Sequence, residues 1–302
     1  MKQANRSYPL YEVEPLRDLK ELLSKKASSM PDREAFVLLD GKGRYGVTYG
    51  EYESAVRRFT AWLHDKGYHG KRVGLCGENS YEWLVAWLAV VNDGGVAVAL
   101  DKEMAAEELK SCSESAEIEA LLCSDTQCEK AAALRCPVIP FTEIFAETET
   151  KYKDARTAER ACEGEPDTDA PCCAFFTSGT SGERKAVLLS HRNLAADVVG
   201  SCKLFYPAGD TLAVLPFHHA FGLVAAVFMF FHYGRRVYIG QSLKRLPQLF
   251  REAKPQTMLL VPLFIETLHK RLWETAKKEN KEKRLRMALC VSDVLLRRGI
   301  DV

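Results

Sequence analysis

Residues 175 to 191 read Phe175-Phe-Thr-Ser-Gly-Thr-Ser-Gly-Glu-Arg-Lys-Ala-Val-Leu-Leu-Ser-His191. An apolar run from Cys172 to Phe176 leads in and a second, Ala186 to Leu189, leads out, so the segment reads as a loop held between two strands. Between them stand the hydroxyls of Thr177, Ser178, Thr180 and Ser181, the glycines Gly179 and Gly182, and the cation of Lys185. A polyphosphate carries many acceptor oxygens and several negative charges, and closely spaced donors beside a cation answer both needs. Glycines let backbone amides approach and point inward. Ser, Thr and Gly also build ordinary surface turns, but their packing with a lysine between two apolar runs favours phosphate binding.

Two better-known loops are excluded by spacing. A Walker A loop needs four residues between its glycines and then Gly-Lys-Ser/Thr; here two residues separate Gly179 from Gly182, and Lys185 stands between Arg184 and Ala186. A hydrolase nucleophile elbow needs Gly-x-Ser-x-Gly, whereas position 183 is Glu, so Ser181 is a poor nucleophile.

Outward from the loop the chain alternates helix and strand patterns. Tyr52, Val56, Phe59, Trp62 and Leu63 share one face of a helix over 50–66, with Gly67 where a C-terminal cap falls. A strand Arg72–Cys76, a helix capped by Ser80 and ended by Gly94-Gly95, and a strand Val96–Leu100 make a βαβ unit. A helix over 105–115 and a strand over 118–123 continue the series. The polar stretch 147–170 reads as a linker. Beyond it strands are expected at 172–176, 186–189, 211–215, 236–239 and 257–261, with helices at 191–205, 222–233, 243–253 and 263–277. The pattern gives an α/β fold with mainly parallel sheets in two subdomains, 1–165 and 166–302, the second carrying the phosphate loop. Lys277 to Arg286 reads as a solvated face or turn, and Leu285, Leu289 and Leu296 mark a final amphipathic helix.

Composition excludes several function classes. The 302 residues are 47% hydrophobic and 27% charged, enough for a sizeable core. Lys and Arg number 42 against 41 Asp and Glu, which leaves no global field to draw nucleic acid or an acidic membrane. Met1 to Glu14 lacks the apolar core of a secretory signal, so a cytoplasmic location is expected. The ten cysteines are scattered without a Cys-x-x-Cys pair, which points to reduced, mostly buried thiols. No Cys/His group has zinc spacing, since His218 and His219 are adjacent and Cys202 and His232 form no ligand pattern; no transition metal is expected. The apolar run Ala220 to Phe231 falls short of the ~20 residues of a membrane span and reads as a buried helix.

The stretch from Phe176 to Val187 resembles the phosphate-loop signature of the adenylate-forming superfamily, which includes acyl-CoA synthetases, peptide-synthetase adenylation domains and luciferases. Leu215-Pro-Phe-His-His-Ala-Phe-Gly-Leu223 resembles the family's next signature, and Arg72 to Ser80 with Tyr81 to Leu84 its N-terminal part. Among subfamilies the long-chain fatty acyl-CoA synthetases are the nearest in pattern. Two positions depart from the family loop: Arg184 replaces a proline and Ala186 a glycine. Losing the fixed proline torsion frees the backbone near Lys185, and Arg184 has two partners open to it, a phosphate or Glu183.

The resemblance implies stacked α/β subdomains with the nucleotide site between them, and ATP, Mg2+ and coenzyme A as cofactors of the parent enzyme. It implies activation of a carboxylic acid, a fatty acid foremost, as an acyl-adenylate that passes to CoA or a carrier-protein thiol. Lys185 and the loop from Thr177 to Gly182 would hold the β- and γ-phosphates, and His219 would stand on the acyl side. On chemistry alone His219 reads equally as a core histidine, and the core reading is preferred for His218. Phe217, Phe221 and Phe228 read as core more readily than as acyl-pocket walls. In the family the adenine turn, the ribose aspartate and the C-terminal lysine domain lie beyond this sequence, so the chain is expected to be a truncated large N-terminal domain, inactive or nearly so alone. A shortened non-catalytic nucleotide- or acyl-binding module and a ligand-free interaction fragment are the alternatives.

Overall fold

The computed structural model describes residues 9–39, 43–152, 164–178, 184–240 and 245–298. Two compact units emerge, Met1–Leu259 and Leu260–Val302. The first contains helices α1 (Leu19–Ser29), α2 (Tyr49–Asp65), α3 (Tyr81–Asn92) and α4 (Ala106–Ser115) and the ten strands found among the described residues. The strands are β1 (Glu34–Leu39), β2 (Arg44–Thr48), β3 (Arg72–Cys76), β4 (Val96–Leu100), β5 (Ala120–Cys123), β6 (Val138–Pro140), β7 (Pro171–Ser178), β8 (Arg184–Ser190), β9 (Thr211–Ala213) and β10 (Val237–Ile239). They form a four-stranded sheet, β2-β1-β10-β9, and a six-stranded sheet, β6-β5-β3-β4-β7-β8. Every pairing is parallel except β1 with β2 and β7 with β8.

Both faces of the larger sheet are covered at its central strands, so β3, β4, β5 and β7 are mainly apolar, while the edge strand β8 is exposed from Lys185 to Leu188. Val73 and Leu75 of β3, Ala97 and Ala99 of β4, and Cys173 and Phe175 of β7 join the main core with α1, α2 and α3. Their neighbours Cys76, Val98, Leu100, Ala174 and Phe176 face the opposite way and join a second core with Leu109 and Cys112 of α4. This is the two-residue period of a strand read on two buried sides. Helix α3 is buried all round from Trp83 to Val91, packing on β3, β4 and β7. Trp87 reaches across to Phe228, 5.5 Å between ring centroids, linking α3 to the helix that packs on β9.

Several expectations change here. A boundary at 165/166 cuts across both sheets, because β7 adds to β4 and β10 lies between β1 and β9. The stretch taken as a linker is helical as far as Lys151, in a helix Phe141–Lys151 that buries Phe141, Ile144 and Thr148; residues 153–163 lie outside the described residues. The apolar helix begins as a π-helix, Phe221–Phe228, and becomes α-helical only over Met229–His232. No strand covers 257–261: Thr257 makes a single bridge to Thr211, and the chain turns into the helix Pro262–Lys278. In the second unit that helix is followed by another, Glu282–Arg297, through a turn in which Asn280 takes a φ of 55°. Among the described residues no helix is long and apolar enough to cross a membrane.

Candidate functional site

The two strands expected around the loop form an antiparallel hairpin in which Thr177 lies opposite Lys185 and Ser178 opposite Arg184. Gly179, Thr180, Ser181 and Gly182 lie outside the described residues. The hairpin therefore fixes where the loop leaves and returns. It does so at the carboxyl end of β7, beside the carboxyl end of its parallel neighbour β4, the edge at which open α/β sheets bind ligands. Thr177 and Lys185 are exposed there, and among the described residues no carboxylate lies within ion-pairing distance of Lys185.

Arg184 turns away from Lys185, as alternation along β8 requires. Its Nε donates to Glu108 on α4, and its guanidinium stands 4.0 Å from Asp101. Of the two partners left open for it, Glu183 lies outside the described residues; the described partner is Glu108. Asp101 directly follows β4 and also lies 3.5 Å from Nε2 of His218. One carboxylate thus stands between the first motif and the second, 33 residues apart at His218 and Lys185.

The second motif is clamped from below by Asn79. Its Nδ2 donates to the carbonyl of Leu215 at 2.8 Å, and its Oδ1 accepts from the amide of Phe217 at 3.0 Å, pinning the turn to the connection between β3 and α3. The His219 amide closes the turn on Pro216 at 3.2 Å. Gly222 is obligatory at the helix start, since a Cβ there would sit 2.2 Å from the Pro216 oxygen.

His218 is 10% exposed, and burial lowers its pKa to about 4 despite the opposing pull of Asp101. It is neutral at pH 7, with Asp101 as its side-chain partner. His219 stands exposed beside it, 4.4 Å between ring centroids. Phe217 and Phe228 are core residues against Trp83 and Trp87, while Phe221 is 49% exposed. Asp101 and Glu108 have no signal in the sequence, because what marks them is spatial, and Asn79, although it lies within the Arg72 to Ser80 motif, shows its clamping role only in the fold.

Of the described carboxylates nearest the loop, Glu108 is committed to Arg184 and Asp101 is shared between Arg184 and His218. That leaves no carboxylate cage for Mg2+ at this edge, and an ion of this kind, which keeps its waters and favours phosphate oxygens, would be held chiefly through a bound triphosphate.

A model of the AMP-binding enzyme family matches residues 23–298. Fatty acyl-CoA synthetase A of Dictyostelium discoideum is 26% identical over 237 residues, covering 70% of this chain and 35% of its own length. Nonribosomal peptide synthetase 30 of Fusarium vanettenii is 29% identical over 189 residues, covering 61% of this chain and 3% of its own. Among solved structures, the O-succinylbenzoate coenzyme A synthetase MenE of Bacillus subtilis, in complex with AMP, superposes with a TM-score of 0.67 at 21% identity, covering 85% of this chain and 64% of that one. The chain therefore spans about a third of the length of the synthetase from Dictyostelium.

Proposed function

Because the chain belongs to the AMP-binding enzyme family, we propose that it forms the phosphate- and acyl-facing N-terminal part of an ATP-dependent acid–thiol ligase, at work in the cytoplasm. A carboxylate oxygen attacks the α-phosphorus of ATP, the bond to the β-phosphate oxygen breaks, and pyrophosphate leaves with that electron pair. A thiol then opens the mixed anhydride and releases AMP. Coenzyme A is the acceptor in this reading and a fatty acid the substrate, with a carrier-protein thiol as the other acceptor. The barrier lies in joining two anions and in carrying charge on the departing pyrophosphate, so positioning and electrostatics dominate.

In this reading Lys185 and the hydroxyls from Thr177 to Ser181 hold the β- and γ-phosphates, and Mg2+, when bound, shares their charge. His219 faces the acyl carboxylate. The observation that carries the proposal is the meeting of both motifs at Asp101 on the carboxyl edge of the larger sheet, with the Lys185 cation exposed and not neutralised by any described carboxylate. Free thiols at all nine described cysteines fit a reducing compartment.

Isothermal titration of the chain with ATP tests it, with pyrophosphate as competitor. Lys185→Ala, an exposed edge-strand change that leaves the fold intact, should weaken ATP and pyrophosphate binding by about tenfold or more. Equal affinity in the variant and the parent would sink the assignment.

A further inference from the structure

At the opposite end of the larger sheet, two helix termini bring together residues far apart in sequence. Helix α2 ends in a turn in which the Tyr68 amide donates to the Leu63 carbonyl and the Gly67 amide to that of His64, Gly67 taking a φ of 77°. Helix α3 ends the same way, with Gly95 donating to Val90, Gly94 to Val91, and Gly94 at a φ of 75°. These are paired Schellman closures. They place His64 in the last turn of α2, His69 just past it, and Asp93 as the C-cap of α3.

The side chains converge. Oδ1 of Asp93 accepts from His64 Nε2 at 2.7 Å and from His69 Nδ1 at 3.0 Å, and the two rings lie 4.1 Å apart between centroids, tilted by 34°. One ligand atom from each of the three residues lies within 4.8 Å of the others. The Asp93 side chain is only 3% exposed, its pKa is raised by burial, and its Oδ2 is buried without a hydrogen-bond partner. A buried anion at the negative end of a helix, beside the negative end of a second helix, is an arrangement that asks for a cation. Two imidazoles on one carboxylate supply donors of the type that bind borderline transition metals.

We propose that His64, His69 and Asp93 form a divalent transition-metal site of the Zn2+ class that fastens the C-terminal ends of α2 and α3. Bonds of about 2.0–2.1 Å in tetrahedral geometry separate ligand atoms by about 3.3 Å, so the contacts of Asp93 Oδ1 with His64 and His69, now 2.7 and 3.0 Å, would open by about half an ångström or less to admit the ion. The protons that His64 Nε2 and His69 Nδ1 now donate move to each ring's other nitrogen, so binding to the neutral rings releases no net proton. The fourth position faces water, since the His64 and His69 side chains are 35% and 59% exposed. About 16 Å of β4 separates the site from the Asp101 edge, so it is independent of the phosphate loop.

Co2+ added to chelator-treated Cys290→Ala chain, which removes the exposed thiol, provides the test. One equivalent should bind with visible d–d absorption, without a thiolate charge-transfer band, and be displaced by Zn2+. Zn2+ should also raise the melting temperature. His69→Ala, a change in an exposed loop, should stay folded by circular dichroism and lose at least about tenfold in affinity, the loss that even an outer partner's removal costs such sites. His64→Ala should do the same. Absence of saturable binding, a thiolate band, or unchanged affinity in both variants would overturn the proposal and leave the cluster as a hydrogen-bonded His-Asp-His network.

Discussion

Replacing Gly222 with alanine probes the joint that aims the His218–His219 turn. The added Cβ would lie 2.2 Å from the Pro216 oxygen and 3.0 Å from the Pro216 carbonyl carbon, both backbone atoms, so no side-chain rotation relieves the overlap. Either the helix start or the turn must move by about an ångström, and the turn is held by Asn79 at 2.8 and 3.0 Å. Overpacking of this kind costs about 1–3 kcal/mol, and its backbone character puts this case at the upper end. For a domain of this size that lowers the melting temperature by about 5–10 °C. Gly200, inside the helix His191–Leu204, is the matched control, because nothing lies within 4 Å of a Cβ built there. The same substitution at Gly200 should stabilise by about 0.5–1 kcal/mol, since alanine is the better helix former. Thermal melts by circular dichroism on both variants give the two signs side by side. A Gly222→Ala melting temperature within 2 °C or so of the parent would refute the close approach.

Acid should weaken the fold before most carboxylates titrate. Burial holds His218 and His232 near pKa 4 in the folded chain against 6.5 for the free side chain, so the unfolded chain takes up their protons first. Their contribution is complete above about pH 6.5 and falls away down to about pH 4, with about 3 kcal/mol from the nearly buried His218; His218→Gln should flatten its share of the melting-temperature profile, and an unchanged profile would contradict it. Arg184→Ala should weaken ATP binding by about tenfold by uncovering Glu108, a loss of roughly 1–2 kcal/mol. The double change with Glu108→Gln should restore most of that affinity if Arg184 acts by neutralising the carboxylate; a double variant as weak as the single one would mean that Arg184 contacts phosphate itself.

The alternation of strands and helices was legible because both faces of the larger sheet are buried, which turns β3, β4 and β7 into short unbroken apolar runs. Helix ends were legible too: Ser80 accepts from the Trp83 amide as a cap, and Gly67 and Gly94 take the left-handed conformation that ends α2 and α3. The order of strands was not, because parallel neighbours are joined by crossovers and no local signal says that β7 lies beside β4. The helix over Phe141–Lys151 hid behind its charges. Glu147 and Lys151 read as linker residues, yet they pair with Lys66 and Asp65 on α2 while the apolar face packs inward. The π-helical turns from Phe221 escaped for the opposite reason, since a wholly apolar run carries no periodicity to distinguish one helix pitch from another.

The candidate site divides along the same line. Residues that follow a motif, Thr177, Lys185, His218 and His219, could be named from spacing, whereas the carboxylates around them could not. Glu108 lies 76 positions from Arg184 in sequence. Its pairing changes what the departure from the family loop means: with proline gone, β8 presents a guanidinium at 184 that is already engaged by Glu108 and faces Asp101, so among the described residues of the hairpin the cation without a carboxylate partner is Lys185. Asp101 acts in the same way on the second motif. It partly offsets the burial of His218, which still stays neutral at pH 7, so the exposed His219 sits beside a neutral neighbour. The two carboxylates on the carboxyl edge thus fix which of four adjacent basic side chains remain available, and that selection is a property of the folded sheet.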